Sequence, residues 1–224
     1  MKHIVNILII VFSILLIVGI LLKTDPNFFL NDDILSQFLP QIKIQTETLI
    51  YYHQIPEINL YHYLGHPILP QGQFGTFYAP RYLFSWLAIR SGNFENLVIF
   101  EHVFHMILAG IGMYVFLIHL KLRKAICVIG AVSYSLNGLM IEVGRNWLMV
   151  SGYFAYMPFL YYVLVRYILV AKKPILSALI RATIFLIGYT NFFVYICFFE
   201  LILFAISRPN RKSIYTYLLS IFSS

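Results

Sequence analysis

The stretch IVNILIIVFSILLIVGILL, residues 4 to 22, has no charged side chain and is long enough to cross a bilayer as one helix. About 19 residues rising 1.5 Å each make about 28 Å, close to the thickness of the hydrocarbon layer. Lys2 precedes the run and no small-residue cleavage site follows it, which predicts a retained first span rather than a removed signal peptide. Working outward, apolar runs of similar length recur, and the whole chain of 224 residues is 60% hydrophobic and 11% charged, with a mean hydropathy of +0.80. Those values exclude a water-soluble globule, a disordered chain, a collagen-like fibre and a disulfide scaffold, and leave a polytopic inner-membrane protein. The net charge of +7 reads as cytoplasmic loops and lipid headgroup contact, not as nucleic-acid binding. Cys127 and Cys197 both lie inside apolar runs and offer neither a disulfide framework nor metal-ligand spacing.

The expected architecture is all-α: one transmembrane domain over residues 1–224, a helical bundle with a long first extracytoplasmic loop carrying an amphipathic helix. With a short basic N-terminus inside, residues 23–96 lie outside. They hold Asp25, Asp32, Asp33, Glu47 and Glu57, five of the nine acids. Within the loop, Asp33 to Tyr52 is expected as an amphipathic helix on the membrane surface. Pro56, Pro67, Pro70 and Pro80 then punctuate a non-helical crossing, and Tyr82 to Ile89 is too short to span and reads as re-entrant or interfacial. Leu97 to His119 spans inward to Lys121, Arg123 and Lys124, Ala125 to Ile141 returns outward, and Leu148 to Ala171 runs back to Lys172 and Lys173. Pro174 to Ile206 is long for one span and short for two. An even number of crossings turning near Thr190 and Asn191 satisfies the charge rule, because Arg208, Arg211 and Lys212 again look cytoplasmic. Ile214 to Phe222 begins a run that stops before it can span.

Four groups of residues are candidates for chemistry. Asp32 and Asp33 follow the first span closely, where a carboxylate can deprotonate an acceptor hydroxyl or hold a divalent cation; alternatively Asp32 caps the helix that follows. The Gly- and Pro-rich segments Leu64-Gly65-His66-Pro67 and Gly72 to Arg81 impose an irregular backbone, which near membrane depth is tolerated where it is buried or lines a wet cavity. Arg81 there either pairs with a phosphate or snorkels to headgroups. Glu101 and His105 are four apart on one helix face and either face a cavity together or satisfy each other, with His102 pointing elsewhere. The fourth group is Ser133 to Gly138, whose small residues suit helix packing, followed by Glu142, Arg145, Asn146 and Trp147 at the next outer turn. Arg145 falls on the same side as Asp33 and can hold a phosphate bidentately. Arg166 and Arg181 are expected to snorkel, Glu200 has no evident partner, and the Tyr and Phe residues read as lipid-facing bulk.

Taken in order, several stretches resemble the YfhO-like family of bacterial membrane proteins, which belong with GT-C type glycosyltransferases. They are Asp33-Ile-Leu-Ser-Gln37-Phe-Leu-Pro40, Tyr63-Leu64-Gly65 leading into Gly75-Thr-Phe-Tyr78-Ala-Pro80, Ala109 to Tyr114, Gly130 to Gly138, Pro158, and Asn191-Phe-Phe193-Val-Tyr195. The resemblance covers nearly all of this chain, which corresponds to the N-terminal part of longer family members. It implies a GT-C-like fold and transfer of a sugar from a polyprenyl-phosphate carrier to an extracytoplasmic envelope acceptor, such as a teichoic acid or another glycan. It also implies an acidic residue of the first outer loop serving the acceptor, here Asp33 with Asp32 beside it. Gln37, Arg81, Glu101, His105 and Arg145 are then the substrate-binding candidates, with Arg145, Arg81 or a divalent cation on the Asp pair stabilising the departing phosphate. Implied partners are the bilayer, the polyprenyl-linked sugar, the glycan acceptor and another membrane protein completing the chain. The competing expectations are a non-catalytic membrane subunit or truncated fragment, and a lipid or solute transporter, which would be favoured by two related halves and midplane acids.

Overall fold

The computed structural model describes residues 2–61, 65–68 and 72–223. Tyr63, Leu64 and Pro70, drawn on above for the resemblance and the loop, lie outside the described residues. The first apolar run forms α1, Lys2–Thr24. A π-helical turn, Ile34–Phe38, leads into α2, Leu39–Ile50, so the expected amphipathic helix is present but is wound loosely over its first turn. A minimal antiparallel ribbon follows, β1 Ile58–Asn59 against β2 His66–Pro67, and then α3, Ala79–Arg90. The long helices are α4, Asn96–His119; α5, Lys124–Ser135, extended by a second π-helical turn, Leu139–Val143; and α6, Leu148–Arg166, which carries Pro158 and tightens into a 3₁₀ turn over Ile168–Val170. Two shorter helices, α7 Pro174–Leu186 and α8 Thr190–Ile206, precede α9, Arg211–Phe222.

Four stretches among the described residues are long and apolar enough to cross a membrane: His3–Thr24, Asn96–His119, Lys124–Val143 and Leu148–Val170. Their exposed surface is oily, as a lipid-facing surface must be. Leu8, Phe12 and Leu16 on α1 and Ile126 and Ile129 on α5 are all exposed. In lipid, burying apolar area gives little drive to associate, so close approach of backbones matters more. α4 is the central helix and packs on α6, α5, α1 and α3. A Cβ at its Gly110 would stand 2.8 Å from Ile10 Cγ2, and one at Gly112 would stand 2.6 Å from the Phe159 ring. The small residues of α4 and α5 therefore set the interhelical distance.

Residues 174–206 form two helices broken at Ile187 to Tyr189, a little before the expected turn. Gly188 has φ +105 and Tyr189 has φ 59, so the chain reverses through left-handed backbone. A Cβ at Gly188 would lie 2.7 Å from Gln73 O and from Gly75 N, because the Gly72 to Thr76 loop lies backbone to backbone on this break. Tyr189 N donates to Gly72 O at 2.9 Å, and the Tyr153 hydroxyl of α6 donates to the Gly188 and Tyr189 carbonyls. Glycines on both sides of the contact thus dock the first loop onto α7 and α8. At the other end Phe204 of α8 stacks on Tyr217 of α9 at 4.2 Å, beside Leu164 and Ile168 of α6, so α8 ends where α7 begins.

Acidic charge is segregated along the bundle, although Lys23, Lys43, Arg90 and Arg145 share the loop end with the acids. Asp25, Asp32, Asp33, Glu47, Glu57, Glu95 and Glu142 belong to the loop end, and Glu101 and Glu200 are buried in ion pairs. Lys121, Arg123, Lys124, Arg166, Lys172, Lys173, Arg208, Arg211 and Lys212 occupy the opposite, basic end.

Candidate functional site

At the loop end, residues 28–37 lie against the turn that joins α5 to α6. Asp33 Oδ2 accepts from the Trp147 indole N–H at 2.7 Å, and Oδ1 accepts from Gln37 Nε2 at 3.0 Å. Asn31 Nδ2 donates to Asn146 Oδ1 at 3.0 Å, and the Arg145 guanidinium covers the Phe28 ring at 4.8 Å. The sequence separately suggests the acidic loop and the outer turn; the fold joins them. Both segments enter the contact through π-helical turns, the wound-out geometry that re-aims side chains at functional sites. Asp32 is exposed with a left-handed φ of 39, and no side-chain cap bond forms at the start of this helix, which corrects the capping alternative. Asp33 is instead drawn sideways onto Trp147.

Two polar groups under this surface make no hydrogen bond of good geometry. Arg145 Nε is buried without a hydrogen bond, 3.4 Å from Glu142 Oε2, although about a quarter of its side chain is exposed. His102 is fully buried between Phe29 and the second π-helical turn. Neither of its ring nitrogens makes a hydrogen bond of good geometry.

Arg81, Glu101 and His105 form a second, deeper cluster. Arg81 Nε and Nη2 grip the two oxygens of Glu101 at 3.0 and 2.8 Å, and Nη1 donates to the Phe74 carbonyl. Arg81 is 2% exposed and Glu101 0%, so Arg81 neither snorkels nor has a nitrogen left for a phosphate. An ion in so dry a place is tolerable only when paired, and this fork-on-fork geometry is the strongest pairing available. Nor do Glu101 and His105 satisfy each other. The Tyr78 hydroxyl is 2.7 Å from His105 Nε2, and Tyr156 is 3.0 Å from Tyr78. Ser151 Oγ is 3.0 Å from His105 Nδ1 and spends its own proton on the Leu148 carbonyl at 2.8 Å. That fixes the directions: Nδ1 donates to Ser151, and Nε2 accepts from Tyr78. The cluster is a closed, satisfied network tying the first loop to α4 and α6. Beside it, burial pushes the Tyr82 phenol up to about 12 against the opposing pull of Arg81, so it keeps donating to the Thr76 carbonyl at 2.6 Å.

The other expectations also meet the geometry. Arg181 does not snorkel: it holds Glu200 through Nε and Nη2 at 2.8 and 2.7 Å and reaches Ser220 through Nη1. Arg166 is exposed over the Tyr167 ring. Tyr78 and Tyr153 are core residues rather than lipid-facing bulk. Among the described residues no three His, Cys, Asp or Glu side chains are grouped to hold a metal ion, so a cation on Asp32 and Asp33 finds no third ligand of this kind. Trp147, not among the substrate-binding candidates, proves to be the residue that fixes Asp33. Its signal was an indole N–H beside Arg145 and Asn146 in a turn, where a buried tryptophan requires an acceptor. No family model, curated protein or solved structure matches this chain.

Replacing Trp147 by Phe keeps a ring against Tyr189 and Phe192 but removes the donor to Asp33. A hydrogen bond to a charged group is worth about 1.5–3 kcal/mol when buried, and less in this half-exposed place. Hydrogen exchange over residues 28–37 is expected to quicken at least severalfold while the melting temperature barely moves; unchanged exchange would show that the indole does not hold the segment.

Proposed function

We propose that this protein is a membrane glycosyltransferase module that moves a sugar from a polyprenyl-phosphate carrier to a cell-envelope glycan outside the cytoplasmic membrane. The observation that carries the reading is the Asp33 carboxylate, half-buried, held by Trp147 and Gln37, and set on one docked surface with the Arg145 guanidinium, which is ion-paired with Glu142 and makes no hydrogen bond through Nε. The charge segregation supports an orientation with the basic end in the cytoplasm and this surface outside. The carrier's apolar tail would lie beside the spans, which is why such chemistry belongs at a membrane surface.

In this mechanism the acceptor hydroxyl oxygen attacks the anomeric carbon and the bond from that carbon to the carrier phosphate breaks. Asp33 takes the hydroxyl proton, and the phosphate leaves on its lipid with the bonding electrons. Charge leaves the oxocarbenium-like sugar and accumulates on the phosphate, where Arg145 supplies the compensating cation. Trp147 and Gln37 aim the carboxylate, and the exposed Asp32 lies toward the acceptor side. Arg81 and Glu101 serve as scaffold under this site.

The non-catalytic subunit is the second reading, favoured by the fact that both Asp33 oxygens are already engaged. Membranes containing the chain, supplied with a labelled polyprenyl-phosphate sugar and envelope glycan, separate the two. Asp33→Asn should lower label transfer by about 10²–10⁴, the usual contribution of general base catalysis, at equal membrane level. Equal transfer by both forms would remove Asp33 from the chemistry, and transfer by neither would favour the subunit.

A further inference from the structure

A cavity of about 510 Å³ opens at the basic end, between the N-terminus of α1 and the C-termini of α4 and α6. Four of its lining residues can carry positive charge: His3, His119, Lys121 and Arg166. Every acid in the chain lies at the loop end or in one of the two buried pairs, and no salt bridge among the described residues involves these four. The deeper wall is apolar, formed by Ile7 and Ile118 along the spans. A cationic rim above an oily wall at a membrane-spanning end matches one occupant, a phospholipid whose phosphate meets the cations while its chains follow the helices.

Two local features point the same way. Lys121 holds a left-handed backbone, φ 62, at the end of α4, where glycine is the easier residue. That turn leaves the Lys121 ammonium among the residues lining the cavity. His3 is also preset: Asn6 Nδ2 donates to the Tyr114 hydroxyl at 2.9 Å, and that hydroxyl lies 2.9 Å from His3 Nδ1. That bond holds the imidazole at the cavity lining whichever way its proton lies. His119 is braced edge-on by Tyr162, ring centroids 5.4 Å apart.

We infer that this cavity is a binding site for an anionic phospholipid of the leaflet at the basic end, with Lys121 and Arg166 as the principal phosphate partners. The purified protein, stripped of lipid in neutral detergent, would be titrated with phosphatidylglycerol, phosphatidylcholine or inorganic phosphate and read by native mass spectrometry. The wild-type chain should retain phosphatidylglycerol about tenfold better than phosphatidylcholine, and inorganic phosphate should not displace it. Joint replacement Lys121→Gln with Arg166→Gln should lower that retention by about tenfold or more, at roughly 1 kcal/mol per cation. Both side chains are exposed, so folding should survive, which the melting temperature checks. Lys172→Gln with Lys173→Gln, on a neighbouring basic turn outside the cavity lining, should leave retention unchanged. Equal retention of the two lipids, equal loss in both double variants, or no loss at Lys121 and Arg166 would overturn the assignment; displacement by inorganic phosphate would overturn the lipid as occupant.

Discussion

Replacement of Glu101 by Gln is expected to remove most of the folded protein from the membrane. The substitution strands the Arg81 guanidinium, which cannot discard its charge, in a place where it is 2% exposed and surrounded by α4, the Phe74 carbonyl and Tyr78. Breaking one side of a buried pair costs about 3–5 kcal/mol, a large share of a typical stability margin. Arg81→Leu should also be destabilising, since it strips both donors from Glu101. The double replacement Arg81→Leu with Glu101→Leu should be milder than the sum of the single ones, because no lone charge remains. Melting of the detergent-solubilised protein measures this. Additive losses would mean that the two side chains act independently.

The second pair should behave differently, although its geometry is the same. Arg181 links Glu200 of α8 to Ser220 of α9 through α7, and α9 otherwise rests on the Phe204–Tyr217 stack and on Ser213, whose hydroxyl donates to Leu169 O at 2.7 Å. Glu200→Gln should again cost about 3–5 kcal/mol, but confined to the α7 to α9 corner. Trypsin should then cut at Arg211 and Lys212 at least tenfold faster than in the wild type, with fragments ending there, while α4 to α6 stay protected. Cleavage spread over the whole chain would show that the corner is not a separate unit.

Hydropathy sufficed for α1, α4 and α6, because a bilayer imposes length and apolarity on single helices one at a time. The reversal inside residues 174–206 was legible from the charge rule, but its position was not, because Gly188 is needed by the contact with Gly72 to Thr76 rather than by the turn alone. The ion pairs were invisible for a related reason: Arg81 and Glu101 sit on different helices, as do Arg181 and Glu200. One rule does carry across that gap. An ionised side chain in an apolar run requires a counter-charge, so Glu200 called for a cation that the linear sequence did not single out, and the fold supplies it as Arg181. At the candidate site, Asp33 and Arg145 were legible from residue type and from their shared side of the membrane. Trp147 was not, because what it does depends on the segment before one π-helical turn meeting the segment after the other across the bundle.

Sugar transfer outside the membrane is the proposed role of the Asp33 surface. The most direct measurement is to express the chain and its Asp33→Asn form, at matched membrane levels, in a host lacking any counterpart, and to compare envelope glycans by mass spectrometry. A sugar added by the wild-type chain and absent with Asp33→Asn is the predicted result. The same added sugar from both forms would contradict the role of Asp33, and none from either, with both stably inserted, would contradict transfer by this chain.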